Sequence, residues 1–187
     1  MSVNLERKIW STDEYEQMIR KGILAEDERV ELIRGEVVKM AAIGPRHLAC
    51  VILLQEMFHE LLGRTDMVST QNSIRLHDNS MPQPDIALLK RRRNAYADQL
   101  PTARDVLLLV EVVDSSLQAD RTAKVPLYAE AGIPQVWLVN LEKGVVEVYS
   151  DPVNGSFEMT SVVQHGETLA LPGGLERTLS VDDVLGF

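Results

Sequence analysis

One stretch constrains this chain more than any other: residues 106–131, VLLLVEVVDSSLQADRTAKVPLYAEA. Its apolar opening, 106–113, is short, rich in β-branched residues and closed by a polar turn, Asp114-Ser115-Ser116. That pattern reads as a buried strand. One carboxylate, Glu111, lies inside the run. A charge there is costly unless something pairs with it. The candidate partners are Lys124 or Arg121 on the helix that follows, or a metal ion. Lys124 and Tyr128 stand four apart and so share one face of that helix.

The rest of the chain has room to bury such a strand. Its 187 residues suit one domain, 1–187, with a core of ordinary size. Apolar residues make up 45% and charged residues 25%, the balance of a globular protein. Cys50 is the only cysteine, so no internal disulfide can form, which fits a reducing, cytoplasmic setting. The opening MSVNLERKIW has no apolar signal core, and no run approaches the roughly 20 apolar residues of a membrane span. The formal net charge of −9 argues against broad nucleic-acid binding through phosphate neutralisation. Lys90-Arg91-Arg92-Arg93 is the one dense basic cluster, read either as a solvated loop or as a local basic patch.

Taken in order, Ser11-Thr12-Asp13-Glu14 caps a helix that runs to about residue 21, with Gly22 as its stop. Segments 30–33 and 37–40 flank Arg34-Gly35 and read as a hairpin, with Glu31 in its first strand. These elements form an N-terminal part, about 11–40. Gly44-Pro45 precedes a helix over about 47–62, with Leu48, Val51, Ile52, Phe58 and Leu62 at helical spacing and Gly63 as the stop. Residues 68–76 alternate as a strand. Pro84 then leads into a short apolar strand with Asp85 at its entrance. A polar stretch over 90–104 holds one helical turn near 95–100. After residue 131, segments 135–141 and 145–150 read as strands joined by a turn, closing a core at about 41–150. Turns at 151–155, 165–167 and 172–174, a strand at 157–163 and a capped helical turn from Ser180 complete the C-terminal part, 151–187. The expected class is α+β, or mixed α/β, with central strands buried between helices.

The chemistry gathers on few residues. If their strands are neighbours, Asp85 and Glu111 converge, and hard oxygen ligands suit Mg²⁺. Such an ion polarises a phosphoryl oxygen and lowers the pKa of a bound water. Lys124 then supplies a positive charge beside the developing oxyanion. Glu31 offers a third carboxylate, and His47 a further ligand or proton acceptor. Each has a plainer alternative. Asp85 after proline suits a turn, Glu111 an ion pair, Lys124 a solvated helix face, and His47 an exposed helix start. Tyr128 reads as core with its hydroxyl bonded, and Ser115 and Ser116 as caps. No Cys/His spacing suggests zinc, and no Gly-rich phosphate loop follows a strand.

Several segments in this order resemble the Uma-two family of endonucleases, within the PD-(D/E)xK nuclease-like group. RVELIRGEVVKM is similar to its "yELidGEl" opening, with Arg34 where the family often has Asp. GPRHLACVILL resembles the helix that follows, and Gln83-Pro84-Asp85-Ile86 its "ePDl" motif. The most specific block is VEVVDSSLQADRTAKVPLYAEAGIPQVWLVNLEKGVVEVY, which looks like "EV…S…DR…K…YA.aGIpeyWlvdl…vevy". The resemblance runs from about Arg29 to the end. It implies a restriction-endonuclease-like core, a central mixed β-sheet flanked by helices. It also implies metal ligands at Asp85 and Glu111 for Mg²⁺ or Mn²⁺, Glu31 and His47 lining the site, and the catalytic lysine role at Lys124. In the parent nuclease pattern that lysine stands two residues after the acid. Here that position is Val113, so Lys124 has to reach back from the next helix.

Three functional readings follow. The first is a metal-dependent endonuclease acting on DNA, for which a homodimer suits the cutting of two strands. The second is a nuclease fold that cuts nothing and binds nucleic acid or protein. It expects no pocket holding Asp85, Glu111 and Lys124 together. The third is a metal-dependent hydrolase of small phosphoesters.

Overall fold

A computed structural model of the chain describes residues 6–25, 28–114, 120–172 and 177–186. Its centre is a six-stranded sheet in the order β3-β4-β5-β6-β7-β8. These strands are β3 (Asp66–Thr70), β4 (Ile86–Lys90), β5 (Val106–Val113), β6 (Gln135–Asn140), β7 (Val145–Val153) and β8 (Ser156–Val163). Only the β5–β6 pair is parallel; the other neighbours are antiparallel. A parallel pair needs a long crossover. Here it carries a π-helical turn, Asp120–Lys124, followed by α3 (Val125–Glu130).

Strand alternation sorts the core into two layers. Ile86, Leu88, Leu108, Val110 and Val112 pack with α2 (Pro45–Leu62) and α4 (Val181–Leu185) on one face. Ala87, Leu89 and Leu109 pack with Tyr128 and Ile133 on the other. Two small antiparallel sheets stand outside: β1 (Val30–Ile33) with β2 (Glu36–Lys39), and β9 (Thr168–Ala170) with β10 (Thr178–Ser180). The expected mixed α+β architecture, with an N-terminal helix and hairpin, is therefore present. Among the described residues no helix is long and apolar enough to cross a membrane.

Local rules explain most boundaries. Ser11 caps α1 (Thr12–Arg20) with a full capping box to Glu14. Proline opens α2, where its missing N–H has no helical partner in any case. The β1–β2 turn puts Arg34 (φ 50°) and Gly35 (φ 78°) in the left-handed region, as a tight two-residue hairpin requires. Gly35 is also a packing point. A Cβ there would stand 2.3 Å from Ile9 Cγ2 and 3.0 Å from the Trp10 nitrogen. Gly35→Ala therefore combines backbone strain with a clash, and thermal denaturation is expected to show a Tm lowered by about 3–6 °C.

Several expectations are corrected. The strand expected over 68–76 ends at Thr70, because Gln71 adopts φ 52° and turns the chain. The helical turn expected near 95–100 is absent; Ala95 and Tyr96 take positive φ, and a single 3₁₀ turn forms at Ala103–Asp105. Leu48 and Ile52, expected on the buried face of α2, are about half exposed, while Cys50 and Leu54 are buried. The helix is apolar all round between residues 48 and 54, so its periodicity has no polar phase to fix the face. β7 runs on to Val153, so the turn expected over 151–155 contracts to Asn154-Gly155. The short strands β9 and β10 form where the sequence pattern predicts no strand. Ser115, Ser116, Gly173 and Gly174 lie outside the described residues.

Three of the four cations in the basic cluster are hydrogen-bonded locally. Lys90 Nζ donates to the Arg104 carbonyl at 2.7 Å and Arg91 to the Asp66 carbonyl at 2.9 Å. Arg92 pairs with Asp105 at 2.7 Å and lies 4.6 Å from the Tyr96 ring centre. These three cations fasten the far end of β4.

Candidate active site

The antiparallel β4–β5 register pairs Ile86 with Val110 and Ala87 with Leu109. One step further along the same register, Asp85 comes level with Glu111. Both carboxylates thus stand at one end of the sheet, where β5 gives way to the crossover. This is the carboxyl end of the parallel pair, a common place for a site in sheets with such connections. The crossover then brings Asp120, Lys124 and Tyr128, spaced four apart, to the same place. The hairpin contributes Glu31, and the first turn of α2 contributes His47.

Lys124 is the hub. Its Nζ lies 3.1 Å from Glu31 Oε1, 3.3 Å from Glu111 Oε1 and 3.6 Å from Asp120 Oδ1. The Tyr128 hydroxyl donates to Glu111 Oε1. The Gln83 amide N–H donates to Glu31 Oε2 at 3.1 Å. Asp85 is held as firmly from its own side. Its Oδ2 accepts from the Val112 amide at 2.9 Å and contacts His47 Nε2 at 2.9 Å, while its Oδ1 accepts from Gln71 Nε2 at 3.2 Å. An ionised carboxylate only accepts, so His47 Nε2 is the donor in that contact.

Five carboxylates, Glu31, Asp85, Glu111, Asp114 and Asp120, line one cavity of about 480 Å³ with Lys124 and His47. The side chains of Glu31, Asp85, Glu111 and Asp120 are only 5–12% exposed and that of Lys124 10%, whereas Asp114 is 45% exposed. This acidic excess in a poorly solvated place sets the electrostatics. Burial raises the Glu111 pKa to about 8; Lys124 opposes the rise, and Asp85, Asp120 and Glu31 add to it. Burial alone would lower the Lys124 pKa, yet Glu111, Glu31 and Asp120 hold it above its ordinary value. The Tyr128 hydroxyl is pushed well up by burial and by Glu111, so it stays a donor.

The donor set suits a hard divalent cation: oxygen ligands, surplus negative charge, and a carboxylate held partly protonated until a cation arrives. Among the described residues no group of three or more His, Cys, Asp or Glu side chains is gathered closely enough to enclose an ion. Mg²⁺ is commonly held by only one or two carboxylates, with water in its other positions.

The structure brings together all five residues singled out from the sequence: Glu31, His47, Asp85, Glu111 and Lys124. The ion pair considered for Glu111 forms with Lys124, whereas Arg121 turns to Glu147. Lys124 does reach back from the crossover to Glu111. His47 is not an exposed helix-start residue; its side chain is 15% exposed and lies against Asp85. Asp120, Tyr128 as a Glu111 partner, Gln83 and Gln71 were not singled out as site residues. The four-residue spacing of Asp120, Lys124 and Tyr128 was the available signal for the first two. Nothing local marks Gln71 or Gln83, whose contacts depend on the turn after β3.

The family model "Putative restriction endonuclease" (Uma2) matches residues 12–182. A crystal structure of "a putative nuclease belonging to DUF820" from Anabaena variabilis ATCC 29413 is similar at 20% identity and a TM-score of 0.76. That match covers 94% of this chain and 97% of the other, and it establishes the shared fold. The type IIG restriction endonuclease BpuSI is similar at 14% identity and a TM-score of 0.42, over 79% of this chain and 16% of that enzyme. No curated protein matches the sequence. Because the family match spans most of its length, the chain belongs to the Uma2 family, described as "Putative restriction endonuclease".

Proposed function

We propose that this chain is a divalent-metal-dependent DNA endonuclease that hydrolyses phosphodiester bonds, with Asp85 and Glu111 as the ligands of Mg²⁺ or Mn²⁺. One observation carries the reading: a single cavity holds Asp85, Glu111 and Lys124 together. The alternative of a nuclease fold that only binds expected no such cavity. Restriction-endonuclease-like families usually use a divalent metal, which agrees with the donor set.

A bound ion would polarise the phosphoryl oxygen and acidify an attacking water. The chain's own residues do the rest. Lys124, kept protonated by its carboxylate neighbours, supplies a fixed positive charge for the oxyanion that develops at phosphorus. Glu31, fastened by the Gln83 N–H, holds the lysine in place and neutralises part of its charge. Tyr128 orients Glu111, and His47 with the Val112 amide orients Asp85. The site is therefore pre-organised by hydrogen bonds from five different elements of the chain.

Mn²⁺ binding followed by electron paramagnetic resonance tests the ligand assignment. The parent protein is expected to bind, and Asp85→Asn to weaken binding by about 10-fold or more. Unchanged affinity in that variant would remove Asp85 from the ligand set.

Gln71 allows a sharper test of pre-organisation. Its backbone is left-handed, its N–H donates to the Asp85 carbonyl at 3.0 Å, and its side chain donates to the Asp85 carboxylate. Gln71→Gly keeps that backbone without strain and deletes the amide. We expect an unchanged or slightly higher Tm, with Mn²⁺ affinity lowered by about 10-fold. A loss of Tm with full affinity would make Gln71 purely structural.

A further inference from the structure

The reacting groups lie deep. The side chains of Glu31, Asp85, Glu111 and Lys124 are between 5% and 10% exposed, at the base of the 480 Å³ cavity. One wall of that cavity is the β1–β2 hairpin and the segment after it, through Ile33, Val38, Ala41, Ala42 and Ile43. This wall is fastened. The Tyr15 hydroxyl donates to the Val30 carbonyl at 3.0 Å, Arg29 to the Ala41 carbonyl at 2.7 Å, and Leu32 bridges to Met81. Its apolar side chains, set beside the charged Arg29, Glu31 and Lys39, offer a surface suited to the faces of unstacked bases. The basic residues lining the cavity are few, namely Arg29 and Lys39 beside Lys124 and His47. The dense basic cluster, in which Lys90, Arg91 and Arg92 already hold hydrogen bonds, sits at the opposite end of β4, about 16 Å away at ~3.3 Å per residue.

A DNA duplex does not suit this site. It is stiff over ~150 base pairs and presents its phosphates on its outer surface. Binding it rests on an array of cations set along a groove or face. To bring a phosphodiester to carboxylates this deep, a duplex would have to unpair and bend locally, as enzymes that extract a nucleotide from the stack require. An unpaired strand is already flexible and meets no such cost.

We infer that the substrate of this site is an unpaired DNA strand, single-stranded or frayed, rather than an intact duplex. The inference rests on the endonuclease reading. The test uses the full chain with Mn²⁺ on three probes: a labelled 30-nucleotide single strand, the same strand in a blunt duplex, and bis(p-nitrophenyl) phosphate. The single strand is expected to be cut with kcat/KM at least ~10-fold above the duplex, since only the duplex has to be opened first. A duplex cut at an equal or higher rate overturns the inference and leaves the endonuclease reading standing. Turnover of the small diester with neither DNA cut overturns the inference and moves the site to small phosphoesters. Failure to hydrolyse all three overturns the endonuclease reading, and the inference falls with it.

Discussion

Replacing Lys124 by methionine is expected to lower Tm by about 10 °C at pH 8 and by much less at pH 5. The lysine is the hub of a buried cluster, within 3.6 Å of Asp120 and closer to Glu31 and Glu111. Methionine keeps most of the volume and removes the charge. Three carboxylates then face one another without a cation in a place that water scarcely reaches. Removing one partner of a buried ion pair commonly costs about 3–5 kcal/mol. The sign of the pH effect follows from proton linkage. Without the lysine, the folded carboxylates hold protons that the unfolded chain has released, so stability falls as pH rises. At low pH both states are protonated and the penalty shrinks. Thermal scans at the two pH values check this. An equal loss at both would show that Lys124 acts through packing alone.

The second large effect separates stability from activity. Glu111→Gln is expected to abolish metal-dependent cleavage while the metal-free protein becomes more stable at pH 8. Burial holds the Glu111 carboxyl at about 8, far above its unfolded value near 4.5. Below pH 4.5 both states carry the proton, and the shift contributes nothing. Between about 4.5 and 8 the folded state keeps a proton that the unfolded chain has lost, so wild-type stability declines with rising pH. Above 8 both states are ionised and the decline stops. Glutamine is neutral throughout, still accepts from Tyr128, and leaves Lys124 with Glu31 and Asp120. The variant should therefore lack this part of the pH slope. A Tm that falls at pH 8 would mean that the carboxylate is stabilised by its partners rather than strained by burial.

The sequence was most legible where one residue decides a local geometry. Ser11 with Glu14, Arg34-Gly35, Gly63 and Ser180 mark ends and turns because each supplies a cap or a left-handed backbone. Glu111 stood out because a carboxylate in an apolar strand needs a reason. Asp85 and Lys124 became site candidates only through it and through the family resemblance. What could not be read depends on distant pairing. The β4–β5 register decides that Asp85 comes level with Glu111, and register is a property of two strands, not one. Gln71 shows the limit most plainly. It sits in an alternating stretch that reads as strand, yet its contacts with Asp85 and Gln83 turn the chain out of the sheet. The apolar N-terminal half of α2 failed differently, since any face of it could have been the buried one.

The most direct test of the account is DNA cleavage by the purified full chain with Mg²⁺ or Mn²⁺, using circular single-stranded DNA and supercoiled plasmid, run beside Glu111→Gln. Metal-dependent cutting by the parent, lost in a variant that melts at the same temperature or higher, is the predicted result. Cutting that survives in Glu111→Gln, or no cutting by the parent with either metal on either DNA, would contradict it.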